Sequence, residues 1–386
     1  MKKDSIAQSR VKKPRHRKPS KGRLKQIQRP PIKGIPEQTV GIDLGDKTSQ
    51  YQVLNKEGEV KTERGVATTK KGMTQVFACM GRSRIAMEVG THSPWVSRLL
   101  ESFGHEVIVA NARRLRLIGD SSRKDDKMDA RLLARLARAE PSLLFPIRHR
   151  GEPAQLHLAM IKARAALVEG RTGLVNTARG LTKSFGDRLE KCDADQMGVG
   201  KLEGLGTGLQ AALQPMLATV EVITEKIHGY EKELAQIARQ EYPETALLEQ
   251  VTGVGLLIAL TFILTLDDAN RFRRSRDVGC YLGLRPKRRD SGESQPQLGI
   301  SKEGDVYLRK LLVQGAHCIL SRPAPDTDLK RWGLKLAGEG NKNAKKIAVV
   351  AVARKLAILL HHLWVSGEVY EPLRNSQAAE AAKPAA

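Results

Sequence analysis

The spacing of apolar residues changes several times along the first third of the chain, and each change marks an element. From Val40 to Leu44 and again from Gln50 to Leu54 apolar and polar positions alternate as a half-buried hairpin requires, and Glu59 to Ala67 continues as a third strand. Lys71 to Met80 switches to helical spacing. "RIAMEV" (Arg84 to Val89) then reads as a buried strand, "SPWVSRLLESFG" as a helix closed by Gly104, and "HEVIVAN" as a further strand. Three strands, a helix, a strand, a helix and a strand predict an α/β domain of the RNase H-like type.

The remainder is expected to be mainly α-helical. Met160/Ile161, Leu167/Val168, Leu174/Val175 and Leu181 recur every seven residues, and Leu213, Met216, Val220, Ile223, Ile227, Tyr230, Leu234 and Ile237 follow 3-4 spacing. Such a seam suits a helical hairpin closed on itself or a coiled-coil arm for dimerisation. Further on, "VTGVGLLIALTFILTL" sets Gly253 and Gly255 before an apolar helix, either as a helix-hairpin-helix turn approaching phosphate or for core packing. The expected organisation is a disordered basic arm at 1–37, an α/β domain at 38–145, a helical coiled-coil region at 146–241, a helical C-terminal domain at 242–373 and a disordered tail at 374–386.

Charge narrows the partners. The formal net charge is +24, and Met1 to Gly34 alone hold 13 Lys or Arg against one acid, Asp4, a net +12. Nucleic acid is the expected polyanion, bound mainly through phosphate because aromatic residues make up only 4%. The arm either lies along nucleic acid or is a solubilising tail. No run approaches 18 apolar residues, no leader pattern is present, and the four cysteines form neither a CxxC pair nor a zinc pattern. A soluble cytosolic protein, neither secreted nor in a membrane, is expected.

Acids interrupt the apolar strands. Asp43 in "VGIDLGDKTSQYQVL" could receive nucleotide phosphates as in sugar kinases, hold a metal as in nucleases, or end a plain hairpin. Glu88 breaks another apolar run, where an unpaired charge is costly. In "SSRKDDKMDARLLARLARA" Asp126 and Asp129 share a helix face with Leu133, while Arg131, Arg135 and Arg138 are expected to point outward. Four converging carboxylates would repel one another. Two magnesium ions would resolve the repulsion and serve phosphodiester displacement. The kinase reading lacks its second phosphate loop and Gly-Gly turn.

Near the C-terminus, Ser291 follows Lys287, Arg288 and Arg289 in "GCYLGLRPKRRDSGESQPQLGISKEGDVYLRKLLVQGA". A Ser-Gly pair is ordinarily a turn; alternatively the hydroxyl is a nucleophile beside charge-neutralising cations.

Five blocks, "VGIDLG", "AMEVGTHSPWVSRLL", "RKDDKMDARLLARL", "YLGLRPKRRDSG" and "GISKEGDVYLRKLL", taken in order, resemble the DEDD transposases of insertion-sequence family 110, including its 1111 subgroup. The resemblance runs from Val40 to Leu373. It implies an acidic tetrad at Asp43, Glu88, Asp126 and Asp129 and a catalytic serine at Ser291. Members read Lys-Thr-Asp where this chain has Lys124-Asp125-Asp126. The resemblance further implies a RuvC-like domain with a coiled-coil insertion, and an active site assembled between subunits of a dimer or tetramer. A structured bridge RNA would pair with donor and target DNA. Arg113, Arg114, Lys287, Arg288, Arg289, Lys302 and Arg309 are the expected nucleic-acid contacts. The competing readings are a metal-dependent nuclease or Holliday-junction resolvase that hydrolyses DNA without Ser291, and a non-enzymatic DNA or RNA binder.

Overall fold

A computed structural model describes residues 30–111, 126–292, 294–296 and 298–376, without the side chains of Asp126 and Lys127. Most of the basic arm, Arg113, Arg114 and Asp125 lie outside the described residues. The chain forms two compact units, Met1–His149 and Arg150–Ala386.

In the first unit β1 (Gln38–Asp43), β2 (Thr48–Asn55), β3 (Val60–Ala67), β4 (Arg84–Glu88) and β5 (Glu106–Ala110) form one sheet in the order β3-β2-β1-β4-β5. The first three strands pair antiparallel, whereas β4 and β5 run parallel to β1. Helices α1 (Lys70–Phe77) and α2 (Ser93–Ser102) supply the crossovers, so the mixed α/β order expected from the sequence is present. Alternation sorts the side chains between two faces. Val40, Ile42, Tyr51, Val53, Ile85, Met87 and Val109 pack with Met73 and Phe77 of α1 and Val96 and Leu100 of α2. Each large side chain buried this way contributes about 1.5–3 kcal/mol.

The opposite face is covered by α3 (Asp126–Ala139), whose Leu133 and Ala137 meet Ala86, Ile108 and Ala110. Gly41 lies directly under this helix. A Cβ there would stand 2.0 Å from the Ala130 carbonyl oxygen and 2.5 Å from the Ala134 nitrogen. Helix and strand therefore meet backbone to backbone, and any side chain at this position would push the helix off the sheet.

At the other end of β4, buried Arg84 donates from Nε to Glu106 Oε2 (3.0 Å), from Nη1 to the Ala137 carbonyl (3.1 Å) and from Nη2 to the Ile32 carbonyl (2.8 Å). Ile32 N donates to the same carboxylate oxygen at 3.2 Å. The segment leading out of the basic arm is thus fastened to the sheet by a buried, well-partnered ion pair.

The second unit is helical. Helices α4 (Glu152–Ser184) and α5 (Thr207–Glu241) lie antiparallel, joined by His157 Nδ1 with Tyr242 Oη (3.1 Å), Arg164 Nε donating to Glu231 (3.1 Å) and Arg171 Nη1 donating to Thr224 Oγ1 (3.2 Å). The buried seam of α5 consists of Leu213, Leu217, Val220, Thr224, Ile227, Leu234 and Ala238. Half of the expected stripe is there; Met216, Ile223, Tyr230 and Ile237 are only half-buried, and Leu181 of α4 is exposed. Part of the shift has a local cause, because buried Arg171 requires a polar partner on the facing helix and Thr224 occupies that position.

Helices α6 (Thr245–Leu248), α7 (Leu256–Leu266), α8 (Arg276–Tyr281), α9 (Val306–Leu320), α10 (Asp328–Ala337) and α11 (Lys342–Ser366) complete this unit. By length and composition α11 could cross a membrane, but Val352, Ala353, Leu356, Ala357 and Leu360 are packed in the core with Leu260 and Phe262 of α7 and Leu308 and Leu312 of α9. Gly253 (φ +81°) presses against α9, its notional Cβ 2.7 Å from the Gly315 carbonyl oxygen, which accounts for this glycine by packing.

Candidate active site

Strand register brings two acids together. Ile42 of β1 is partnered with Met87 of β4, so the next residues, Asp43 and Glu88, end neighbouring parallel strands on the α3 side of the sheet. Neighbouring strands lie about 4.8 Å apart. Asp129 precedes Ala130, whose carbonyl rests on Gly41 two residues before Asp43, so the third acid is carried on the same face by the direct helix-strand contact. All three are half-buried. Asp126 opens α3 one turn earlier.

Hard carboxylate oxygens at the end of a sheet are the donor set of magnesium or calcium. Among the described residues no three His, Cys, Asp or Glu side chains are grouped closely enough to hold an ion. Asp43, Glu88 and Asp129 thus share a face without closing a cage by themselves.

The arginines of α3 differ from expectation. Arg135 is exposed, but Arg138 turns back to the β2–β3 turn, donating from Nε (3.1 Å) and Nη2 (2.7 Å) to the Lys56 carbonyl. Arg131 is half-buried, and its Nε has no partner among the described residues. The helix packs across β2 as well as β1, so its polar side also meets protein.

Sequence reading passed over the glutamines of β2. Gln50 is the antiparallel partner of Asp43, and wholly buried Gln52 donates from Nε2 to Glu63 Oε2 of β3 at 2.7 Å. A polar row therefore extends from the acids across two more strands. The signal available in the sequence is the phase of the alternation: Gln50 and Gln52 share the parity opposite to Tyr51 and Val53.

Ser291 belongs to the second unit and sits at the tip of a hairpin. Its backbone N donates to the Ser294 carbonyl (3.1 Å) and Ser294 N donates back (3.0 Å), with Gly292 at φ +55° supplying the left-handed turn residue. The stem is zipped by Lys287 N to the Gly299 carbonyl (3.0 Å), Ser301 N to Arg285 (2.9 Å) and Lys302 N to Gly283 (3.0 Å). Lys287, Arg288, Arg289, Ser291 and Lys302 are exposed. The turn reading and the nucleophile reading are thus compatible. Ser301, a second hydroxyl in the stem, has its Oγ buried without a partner among the described residues.

Arg309, expected as a nucleic-acid contact, is bonded to the base of the stem. Its Nη1 donates to the carbonyls of Leu282 (2.9 Å) and Glu303 (2.7 Å).

Comparison with known proteins bears on both units. A transposase family model for the DEDD enzymes of IS110 elements matches residues 40–185, and the model described as Transposase IS116/IS110/IS902 family matches residues 245–330. The transposase for insertion sequence element IS1111A of Coxiella burnetii is 31% identical over 255 residues, covering 64% of this chain and 69% of the relative. A probable family 20 transposase of Pseudomonas aeruginosa is 28% identical over 347 residues, covering 86% of this chain and 98% of the relative. The transposase for insertion sequence element IS1328 of Yersinia enterocolitica is 26% identical over 341 residues with the same coverage, 86% and 98%. A mixed sheet followed by helices fits a DEDD nuclease-like domain, and such a domain implies use of a divalent metal.

Proposed function

This chain belongs to the IS110 family of insertion-sequence DNA transposases, and we propose that it works as a bridge-RNA-guided serine recombinase with an RNase H-like, RuvC-like domain. Support comes chiefly from the juxtaposition of Asp43 and Glu88 on the face that carries Asp129. With Asp126 they form the metal-ligand set, Asp125 standing outside it. Two magnesium ions held there would stabilise charge on the attacking and leaving oxygens of the scissile phosphate.

The other functional group is Ser291. Its hydroxyl loses a proton and bonds to phosphorus, the bridging oxygen of the cleaved strand leaves and is protonated, and the phosphoserine keeps the energy of the phosphodiester for rejoining. No ATP is consumed. Lys287, Arg288 and Arg289 neutralise the phosphate as its charge grows, and together with Arg113, Arg114 and Lys302 they bind the nucleic-acid backbone. The partners are donor DNA, target DNA and the guide RNA, bound by a dimer or tetramer in which the long helical region serves as a coiled-coil arm.

Incubating purified protein with its RNA and end-labelled DNA, then running a denaturing gel, tests the scheme. In magnesium a slow, protease-sensitive band should appear, and EDTA should abolish it. DNA cut in magnesium without any protein-linked band would favour the hydrolytic nuclease.

The basic arm adds affinity. Deleting Met1 to Gly34 should weaken nucleic-acid binding and flatten its salt dependence, each lost phosphate contact lowering the log-log slope by about 0.7 to 0.9. Sequence choice should barely change. A binding titration across salt concentrations reads this out, and an unchanged slope would make the arm a bystander.

A further inference from the structure

The base of the Ser291 hairpin is a tight backbone junction. Gly283 (φ +67°) and Gly304 (φ +74°) each face the opposite strand: a Cβ on Gly283 would stand 2.3 Å from Glu303 N and O, and one on Gly304 would stand 2.0 Å from the Tyr281 carbonyl oxygen. Lys302, whose N donates to the Gly283 carbonyl, adopts φ +58°, a left-handed conformation that residues with a Cβ rarely take. Such backbone persists only where its surroundings impose it.

Arg309 is part of those surroundings. One guanidinium nitrogen takes a carbonyl from each strand, Leu282 before the hairpin and Glu303 after it. The arginine lies in the first turn of α9, which is anchored by buried Leu308 and Leu312 and N-capped by Asp305, whose Oδ1 accepts from Leu308 N at 2.9 Å. The hairpin is thereby tied to a helix seated in the core.

We propose that Arg309 is a positioning residue for Ser291: by bridging the two strands at their base it fixes the direction in which the hairpin carries the hydroxyl. This rests on the reading of Ser291 as nucleophile. The tip lies six residues beyond Arg285, a reach of about 20 Å. A tilt of about 10° at the base would move the hydroxyl by roughly 3 Å, and a misplacement of 1 Å already costs on the order of 100-fold in rate.

The test uses full-length protein with its RNA and measures the rate of protein-DNA adduct formation at saturating DNA, together with the salt dependence of DNA binding. Arg309→Ala should form adduct at least 100-fold more slowly while its log-log salt slope stays at the wild-type value. Arg309→Lys, which keeps the charge, should be nearly as slow. Gly304→Ala changes no charge and forces the base apart, so it should reproduce the defect independently of Arg309. A phosphate contact would give the opposite pattern: a slope lower by about 0.7 to 0.9 in Arg309→Ala, normal adduct at saturating DNA, and full activity in Arg309→Lys and Gly304→Ala. That result would overturn the assignment. Ser291→Ala assayed alongside separates the two claims. Adduct from Ser291→Ala sinks the nucleophile reading, whereas its absence there combined with normal adduct from Arg309→Ala and Gly304→Ala sinks the positioning role alone.

Discussion

Ser291→Ala protein is expected to bind RNA and DNA normally, to form no covalent adduct and to recombine nothing. The residue is exposed at a hairpin tip and its backbone closes the turn, so removing the hydroxyl leaves those turn bonds in place. All of the loss should fall on chemistry. Gels run with and without denaturant distinguish a bound complex from a covalent one, and a normal amount of protein-linked DNA would remove Ser291 as the nucleophile. Ser301 would then be the next hydroxyl to test, although its buried oxygen is poorly placed to meet a phosphate. Mixing Ser291→Ala with Asp43→Asn protein should restore part of the activity if each active site draws its acids and its serine from different subunits, because a mixed oligomer retains one intact combination. Failure of mixing alone would count only against that sharing.

Asp43→Asn should lower strand exchange by orders of magnitude with the fold preserved, and Glu88→Gln and Asp129→Asn should do the same. Loss of metal-stabilised charge removes several kcal/mol from the transition state, and each 1.36 kcal/mol is tenfold in rate. Thermal melting separates this from misfolding. The three carboxylates are half-buried at the ends of their elements and outside the apolar core, so neutralising one should leave the melting temperature in EDTA close to the wild-type value. Magnesium, binding the folded state, should raise the melting temperature of the wild type and not that of Asp43→Asn. Asp125→Asn should have far smaller effects on both readouts. Recombination by Asp43→Asn at the normal rate in magnesium would show that the metal site had been misplaced.

Local periodicity carried most of what could be read from the sequence. The strands β1, β2, β4 and β5 are legible because burial in the sheet makes them apolar runs or alternations, whereas β3 buries little besides Val66 and is carried by its place after the hairpin. The neighbouring of Asp43 and Glu88 follows once strand order is guessed. What brings α3 to them does not follow as easily: Gly41 looks like a weak point in a strand, and its use as the seat of a helix backbone appears only in three dimensions, although a glycine inside a strand is a recognised sign of close backbone approach. The α5 seam was half legible. Leu213, Val220, Ile227 and Leu234 are where spacing puts them, but Leu217, Thr224 and Ala238 take the alternate positions in packing against α4. The place of Arg309 at the hairpin base was not legible, because charge was its only visible attribute in the sequence. Its carbonyl partners lie 27 and 6 residues away in the chain, and a bond of that kind leaves no pattern in composition or spacing.

The fastening of residues 30–34 by Arg84 bears on how such an enzyme could be built upon. Arg84 opens β4 and Glu88 closes it, so the entry of the amino-terminal segment and the acids occupy opposite ends of one strand, about 13 Å apart along its axis. A programmable binding module, fluorescent reporter or purification handle joined upstream of Pro30 would therefore be leashed to the sheet at its far end. Its point of attachment is then set by a buried ion pair in place of a length of flexible linker, at the end of the strand away from Glu88.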